Sequence, residues 1–475
     1  MQVRRSVAID LGAGSCRVSL GEWDGNRAAV RLVHRFANGP VERNGHLYWD
    51  LERLVGGMEE GLGKAAAAAP EAIDSIGIDG WGVDYVRLGP DGAPVSIPFC
   101  YRDPRTETAM PEVWERIPAA RIYELTGIQF LRFNTLYQLY ADHRDGLPPA
   151  KRWLTIPEYL LYRLGGAPVS EYSNATTTQL VRAQTRDWCE EVFQAAGLDR
   201  SSAPAIVPAG TRLGKIQGPL ASLAPYRDAQ LIAPACHDTG AAVAGIPDSG
   251  SDWAFISSGT WSLVGTVLDQ PCTSEAARAA NFTNEGGVGG RIRFLTNVNG
   301  MWLLEECLRE WLGQGSARAL PELIAECARR PLPRATFAVD APDLLLPGRM
   351  PARINQEIEK AGGEPIAEDA AHAPEMANMI FASLAARYAE VLEALCRVTS
   401  RSFRRVYVVG GGSRNAYLNR LIEERAALPV VPGAVESSTV GNLAIQFAAL
   451  KNLEHEVTPP AVAAWARRLA PETVV

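Results

Sequence analysis

The chain has no run of basic residues, no pair of cysteines at the short spacing of a zinc or redox motif, and no apolar stretch long enough to cross a bilayer. Each absence removes a class of function. A net charge of −7 without a basic tract argues against nucleic acid as a partner. The eight cysteines are scattered along a long chain and read as reduced thiols rather than a disulfide framework. Met1-Gln-Val-Arg-Arg5 leads straight into a strand-like segment, without the apolar core of a signal peptide. The expectation is a cytoplasmic protein with no membrane partner. No low-complexity linker divides the 475 residues, a length for two or three domains.

Two nucleotide-binding fingerprints are also missing. Gly12-x-Gly14 follows a strand, but Arg17 takes the third glycine position and the next segment reads as strand rather than helix. Gly410-x-Gly412 fails in the same way at Asn415, and Gly63-Lys64 is followed by Ala65, with Met58 in the first glycine place of a phosphate loop. A dinucleotide dehydrogenase and a lysine-type phosphate loop are therefore disfavoured.

What is present is a repeated theme. Ser6–Leu11, a glycine- and serine-rich turn, and Arg17–Glu22 form a predicted hairpin. Trp253–Ser258, Gly259-Thr260 and Trp261–Thr266 repeat it half a chain later, which suggests an internal duplication. Between and after these lie strands predicted at Ser75–Asp79, Val83–Leu88 and Val406–Val409. Asp50 is predicted to cap a helix, residues 110–165 read as mostly helical, and helices are predicted over Met301–Leu312, Leu320–Arg329, Pro374–Thr399, Ala416–Ala427 and Ser438–Leu450. The proline-rich segment Pro331–Pro351 reads as a long surface connection.

At the midpoint, Leu231-Ile-Ala-Pro234 reads as a strand end opening through Cys236-His-Asp238 onto a helix. Asp238 there suits either a general base for a hydroxyl proton or a plain helix cap. Asp10 and the small residues to Arg17 suit a phosphate cradle, with Asp10 reaching Mg2+ through water, or an ordinary hairpin turn. Ser257-Ser-Gly-Thr260 has the same chemistry, and Gly410-Gly-Gly412 suits either a flat adenine seat or a tight loop. Trp81, beside Gly80 and Gly82, reads as a sugar platform or a core side chain. His237 reads as a donor to substrate or to the fold. Tyr101–Thr106 and Asn281–Gly290 are loops dense in hydrogen-bonding groups.

Several stretches together resemble the FGGY carbohydrate kinases almost end to end. They are Ala8-Ile-Asp-Leu-Gly12, the Asp238 region, Ser258-Gly-Thr260 and Gly410-Gly-Gly-Ser413. Within that family the chain is similar to the rhamnulokinases, through His34–Pro40, Ile78–Asp84, Thr126–Gln129, Asn134–Gln138, Cys236–Thr239 and Asn281–Gly287. The resemblance implies an α/β fold of two duplicated ribonuclease-H-like (actin-like ATPase) domains with an interdomain catalytic cleft. Residues 1–245 would form the sugar-binding domain with the base, and 246–475 the ATP-binding domain.

It further implies Asp238 as catalytic base. Trp81, already read as a sugar platform, joins Gly82, His237, Asp238, Thr239 and Asn297 toward the sugar. The resemblance places Ala13, Gly14, Ser15, Cys16, Arg17, Thr260, Glu305 and Gly411 toward ATP, where Gly410 and Gly412 flank Gly411. Asp10 stands toward Mg2+. Departures are Gly14 and Cys16, where Ser and Gly are usual, Gly80 for Thr, Cys236 for Ser and Glu305 for Gln. The expected reaction is ATP-dependent phosphorylation of L-rhamnulose at its 1-hydroxyl, by a monomer or homodimer. The alternatives are another ketose such as L-fuculose, or a non-catalytic actin-like nucleotide-binding protein.

Overall fold

Two six-stranded sheets carry the architecture of the computed structural model, which describes residues 3–313, 320–451 and 456–470. The first sheet contains β1 (Arg4–Leu11), β2 (Ser15–Trp23), β3 (Ala28–Ala37), β4 (Ser75–Gly80), β5 (Arg212–Lys215) and β6 (Gln230–Ile232). Their order is β5-β6-β4-β1-β2-β3. β1, β2 and β3 are antiparallel neighbours, whereas β4 runs parallel to β1 and β6 parallel to β4. The second sheet contains β7 (Trp253–Ser258), β8 (Trp261–Leu268), β9 (Thr283–Gly286), β10 (Ile292–Asn299), β11 (Arg405–Val409) and β12 (Val430–Pro432), ordered β9-β10-β8-β7-β11-β12. β7 and β8 are antiparallel, and β11 and β12 continue in parallel from β7. The path β3-β2-β1-β4-β6 is thus repeated as β10-β8-β7-β11-β12. This is the duplicated ribonuclease-H-like arrangement that the two hairpins foreshadow.

Burial explains the strand sequences. β1 and β4 are covered on both faces and are almost continuously small or apolar, as parallel central strands are. Helix α1 (Leu51–Ala68) begins where the Asp50 carboxylate accepts from the Arg53 N–H, and it buries Leu54, Met58, Leu62 and Ala65 at helical spacing. Gly57 and Gly61 on that face leave room for Phe36 and Val18 of the strands beneath.

Packing divides the chain less simply than a single cut after residue 245. One unit holds the described chain through Ser249 together with Val267–Phe294 and the segment from Ser437, and the other holds Gly250–Thr266 and Leu295–Glu436. The reason for the late return is a helix. Among the helices α2 (Thr135–Arg144), α3 (Tyr172–Thr177), α4 (Asp238–Ala244), α5 (Trp302–Gly313), α6 (Ala373–Thr399), α7 (Ala416–Ala426) and α8 (Ser437–Lys451), α8 lies against α4, β1 and β4 of the first unit. Ser438, Asn442 and Gln446 are four residues apart and share one helix face. All three donate into the sheet, to Asp10 Oδ2 (2.7 Å), Asp79 Oδ2 (2.6 Å) and the Val7 carbonyl (3.0 Å) respectively.

Some expectations need correction. The strand expected at Val83–Leu88 is Tyr85–Leu88, and it pairs with Arg152–Thr155 in a separate ribbon rather than joining a main sheet. Residues 110–165 are broken into short helices by that ribbon strand and by turns. Pro331–Pro351 is not purely a surface connection, because Phe337, Val339, Leu344 and Met350 are buried along it.

The α4–α8 crossing is close. A Cβ on Gly441 would lie 1.8 Å from the Ala241 carbonyl oxygen. Gly441→Ala should lower stability in urea unfolding by about 1–3 kcal/mol, because two packed backbones must part. Gly56→Ala, on the exposed face of α1 with nothing within 4 Å, should stabilise instead, by about 0.5–1 kcal/mol.

Candidate active site

Three carboxylates converge at strand ends of the first unit. Asp10 ends β1, and its register partner on β4 is Asp79. The next residue, Gly80, bridges to His237, which brings Asp238 alongside. Asp10 is 4% exposed, and its Oδ2 accepts from Arg17 Nη1 at 3.1 Å as well as from Ser438. Asp79 is fully buried, and burial together with the Asp10 charge holds its carboxyl well above the usual range. The Asn442 amide offsets part of that.

His237 takes the N-cap position of α4, and Asp238 is its first helical residue. Burial is the main cause holding the Asp238 carboxyl above the ordinary aspartate value, with the Asp10 charge adding to it and His237 opposing. The side chain still keeps 35% of its surface accessible, as a group must that meets a substrate. Its Oδ1 accepts from the Thr239 N–H at 2.5 Å and the Thr239 hydroxyl at 3.1 Å, and His237 Nε2 stands 3.5 Å from the same oxygen.

Behind His237 lie Glu285, to which the sequence pointed only as part of a polar loop, and Arg293, to which it did not point. Arg293 Nη2 is 3.1 Å from His237 Nδ1, and Glu285 Oε2 is 3.3 Å from it. Arg293 Nη1 stands 3.0 Å from Glu285 Oε2 as a charge pair, although its N–H is not aimed along a good hydrogen bond. Desolvation raises the Glu285 carboxyl, but the Arg293 and His237 charges outweigh it and hold the group below its usual value. A second anchor holds the backbone. Glu171 Oε2 accepts from the Cys236 N–H at 2.9 Å and from Ser173, whose hydroxyl accepts from the His237 N–H at 3.2 Å. Burial pushes the Glu171 carboxyl up to about 7.

Trp81 is 7% exposed and packs on Trp49 with ring centroids 4.3 Å apart. Both indole N–H groups donate to Asp84 Oδ2, at 3.1 Å from Trp81 and 2.5 Å from Trp49. The Tyr101 N–H adds a third bond to that oxygen, and Gln138 Nε2 donates to Oδ1 at 2.9 Å. Desolvation still pushes this buried carboxyl up to about 6. Between Gly82 and Asp84, Val83 sits at φ +68°, a conformation costly for a β-branched residue. It is held there by Thr177 Oγ1 accepting from its N–H at 3.3 Å and by the Thr135 hydroxyl donating to its carbonyl at 2.7 Å. A Cβ on Gly82 would meet that same Thr177 oxygen at 2.9 Å.

In the turn Ala13–Arg17, glycine is demanded at Gly12, where a Cβ would lie 2.6 Å from the Ser15 carbonyl, and not at Gly14, which has open space. Asn38 braces the turn by donating from its N–H to the Gly14 carbonyl and from Nδ2 to the Gly12 carbonyl. Cys16 is fully buried in the core, where its thiol donates back to the Gly12 carbonyl at 3.8 Å. Burial pushes the thiol up to about 12, which keeps it protonated and unreactive.

The nucleotide-side residues belong to the second unit. Gly410 has φ +82°, and a Cβ there or on Gly412 would strike Ser258, so the triple glycine lies directly against the end of β7. Gly411 has open space beside it. The Gly259-Thr260 turn is closed onto the start of α5, since the Met301 and Trp302 N–H groups donate to the Gly259 and Thr260 carbonyls. The Thr260 hydroxyl is 3.4 Å from Glu305 Oε2. Asn297 is half-buried on β10. Thr260, Glu305 and Gly410–Gly412 thus form one neighbourhood around β7 and α5, and Asp10, Ala13–Arg17, Trp81, Gly82 and His237–Thr239 belong to the first unit. No helix among the described residues is long and apolar enough to cross a membrane.

Asp84→Asn should leave one of four converging donors facing another donor. The expected result is a loss of about 1–3 kcal/mol in thermal or urea unfolding, with nucleotide binding measured by calorimetry unchanged.

Comparison with known proteins identifies the family and the fold. Residues 6–245 match the N-terminal domain of the FGGY family of carbohydrate kinases, and residues 254–450 match its C-terminal domain. The fold is similar to a ligand-bound xylulose kinase from Lactobacillus acidophilus, with TM-score 0.79 and 17% identity over 98% of this chain and 92% of that one. It is similar to a gluconate kinase from the same organism, with TM-score 0.78 and 16% identity over 99% and 92% of the two chains. It is also similar to the Plasmodium falciparum glycerol kinase solved with ADP, with TM-score 0.75 and 13% identity over 98% and 93%. With both domain types matched in order and the duplicated sheets in place, the chain belongs to the FGGY family of carbohydrate kinases.

Proposed function

We propose that the chain transfers the γ-phosphoryl group of ATP to the 1-hydroxyl of L-rhamnulose, giving L-rhamnulose 1-phosphate and ADP. Asp238 carries the reading. Its Oδ1 is engaged by Thr239 and faced by His237, and Oδ2 remains for a hydroxyl proton. As that proton passes to Oδ2, the hydroxyl oxygen forms its bond to the γ-phosphorus, and the bond from phosphorus to the β-γ bridging oxygen breaks. Arg17 and the backbone N–H groups of Ala13–Cys16 offset the charge on the transferring group. The rhamnulose assignment rests on Ile78–Asp84, Asn134–Gln138 and Cys236–Thr239 together.

Asp10 is the residue that would hold Mg2+. One of its oxygens accepts from Arg17 and Ser438, which leaves the other to accept from a metal-bound water. A cation that keeps most of its waters needs only a few carboxylates from the protein. Bound there, Mg2+ supplies neutralisation of phosphate charge.

A different ketose is the second reading, favoured by Gly80 and Cys236 standing where Thr and Ser are usual. A coupled ADP assay with L-rhamnulose, L-fuculose, D-xylulose, gluconate and glycerol decides between them. L-Rhamnulose should give the highest kcat/KM, and a clear preference for another member would move the assignment to that sugar. Asp238→Asn should fold and bind ATP but lose turnover by about 10²–10⁴-fold or more, and near-normal turnover would exclude the base. Because the Asp238 carboxyl is raised, its proton-accepting form disappears as pH falls through that raised value. The acid limb of kcat/KM should therefore lie above the ordinary aspartate range.

A further inference from the structure

We infer that Arg293 and Glu285 are positioning residues that fix the imidazole of His237 with its proton on Nε2, so that this N–H faces Oδ1 of Asp238 and leaves Oδ2 to the acceptor hydroxyl. The inference rests on the assignment of Asp238 as base. It begins from an asymmetry in the contacts of His237. A guanidinium only donates, so Arg293 Nη2, 3.1 Å from Nδ1, requires a lone pair on that nitrogen. A neutral imidazole whose Nδ1 accepts carries its proton on Nε2. Nε2 is the nitrogen 3.5 Å from Asp238 Oδ1. The opposite tautomer would turn an N–H toward the Arg293 donor and a lone pair toward Asp238, and Glu285 Oε2, although 3.3 Å from Nδ1, makes no aligned hydrogen bond that would favour it.

Glu285 completes the device. Its Oε2 is 3.0 Å from Arg293 Nη1 and 3.3 Å from the same Nδ1, so its charge keeps the guanidinium beside the ring. The pair therefore holds the neutral ring in one orientation. It is rigid enough to do so. The Arg293 side chain is 1% exposed, and its Nε donates to the Gly286 carbonyl at 2.8 Å. The Gly286 N–H is in turn held by Thr176 Oγ1 at 2.8 Å. Neither residue reaches Asp238 itself, so both act through His237.

The two residues pull the tautomer in opposite directions once one is altered. In Arg293→Lys the charge partner of Glu285 is kept, but one ammonium nitrogen replaces the two guanidinium nitrogens that reach Nδ1 and the Gly286 carbonyl from separate positions. Glu285 then draws a proton onto Nδ1, and Nε2 presents a lone pair to Asp238. Arg293→Lys should lower kcat by about tenfold or more with KM for ATP within about twofold. Adding Glu285→Gln removes the carboxylate that draws the proton, so the double variant should recover part of the loss, about threefold or more. A purely structural pair would instead give a double variant worse than either single one.

The tautomer is read without any substrate by long-range 1H–15N spectra of protein labelled at its six histidines, with His237→Gln used for assignment. At pH 8, wild type should show Nε2 protonated, and folded Arg293→Lys should show a neutral ring protonated on Nδ1. A wild-type ring protonated on Nδ1 alone, an Arg293→Lys variant with unchanged kcat, or additive losses in the double variant would each overturn the inference. If wild type phosphorylated no sugar in the panel, the kinase assignment would fall separately, and the tautomer measurement would still decide this point.

Discussion

Like charges brought together at one edge of a sheet repel, and the first unit is built around containing that repulsion. Asp10, Asp79 and Asp238 end up side by side because parallel strands deliver their carboxyl ends to the same edge. Each is given its own compensation. Asp10 has Arg17 and Ser438, Asp79 has Asn442 and a lowered acidity that favours its neutral form, and Asp238 has Thr239 and the His237 network. Only Asp238 retains substantial access to solvent, so the arrangement singles out one carboxylate for chemistry while the others set its field.

The surroundings of Asp238 differ in rigidity from those of a surface loop. The backbone before it is held by buried Glu171 and Ser173, and the helix it begins crosses α8 at a glycine contact. On the neighbouring side, Asp84 gathers two indoles, an amide and a backbone N–H, and the residue before it is held in a strained conformation. Strain of that kind persists only when several bonds over-determine it, and Thr135, Thr177 and Gln138 provide them.

How much of this the sequence revealed depends on how local each signal is. Asp238 was legible because an apolar strand end and a run of small helix residues flank it within ten positions. The duplicated hairpins and the triple glycine were legible for the same reason, since turns write their requirements into adjacent residues. Trp81 stayed ambiguous, and its 7% exposure and stacking on Trp49 depend on a residue in another ribbon. The Ser438–Asp10 bond joins residues 428 positions apart, although the four-residue spacing of Ser438, Asn442 and Gln446 in an otherwise apolar helix was a signal available to be read. Glu285 and Arg293 carry no local mark, because Glu285 stands in a stretch that read as a polar loop and is in fact the buried strand β9, and Arg293 is a lone charge on β10. Nothing in the sequence announces the backbone of Val83.

The return of α8 to the first unit has a consequence during synthesis. A ribosome that has made everything up to Glu436 has produced β1, β4 and α4, yet Ser438 and Asn442 do not exist at that stage. The acidic edge of the nascent protein therefore remains without two of its hydrogen-bond donors until α8 has been made. Because α8 follows the second unit along the chain, the ribosome delivers those donors only after the other half has been synthesised, which sets the order in which the two halves can be finished.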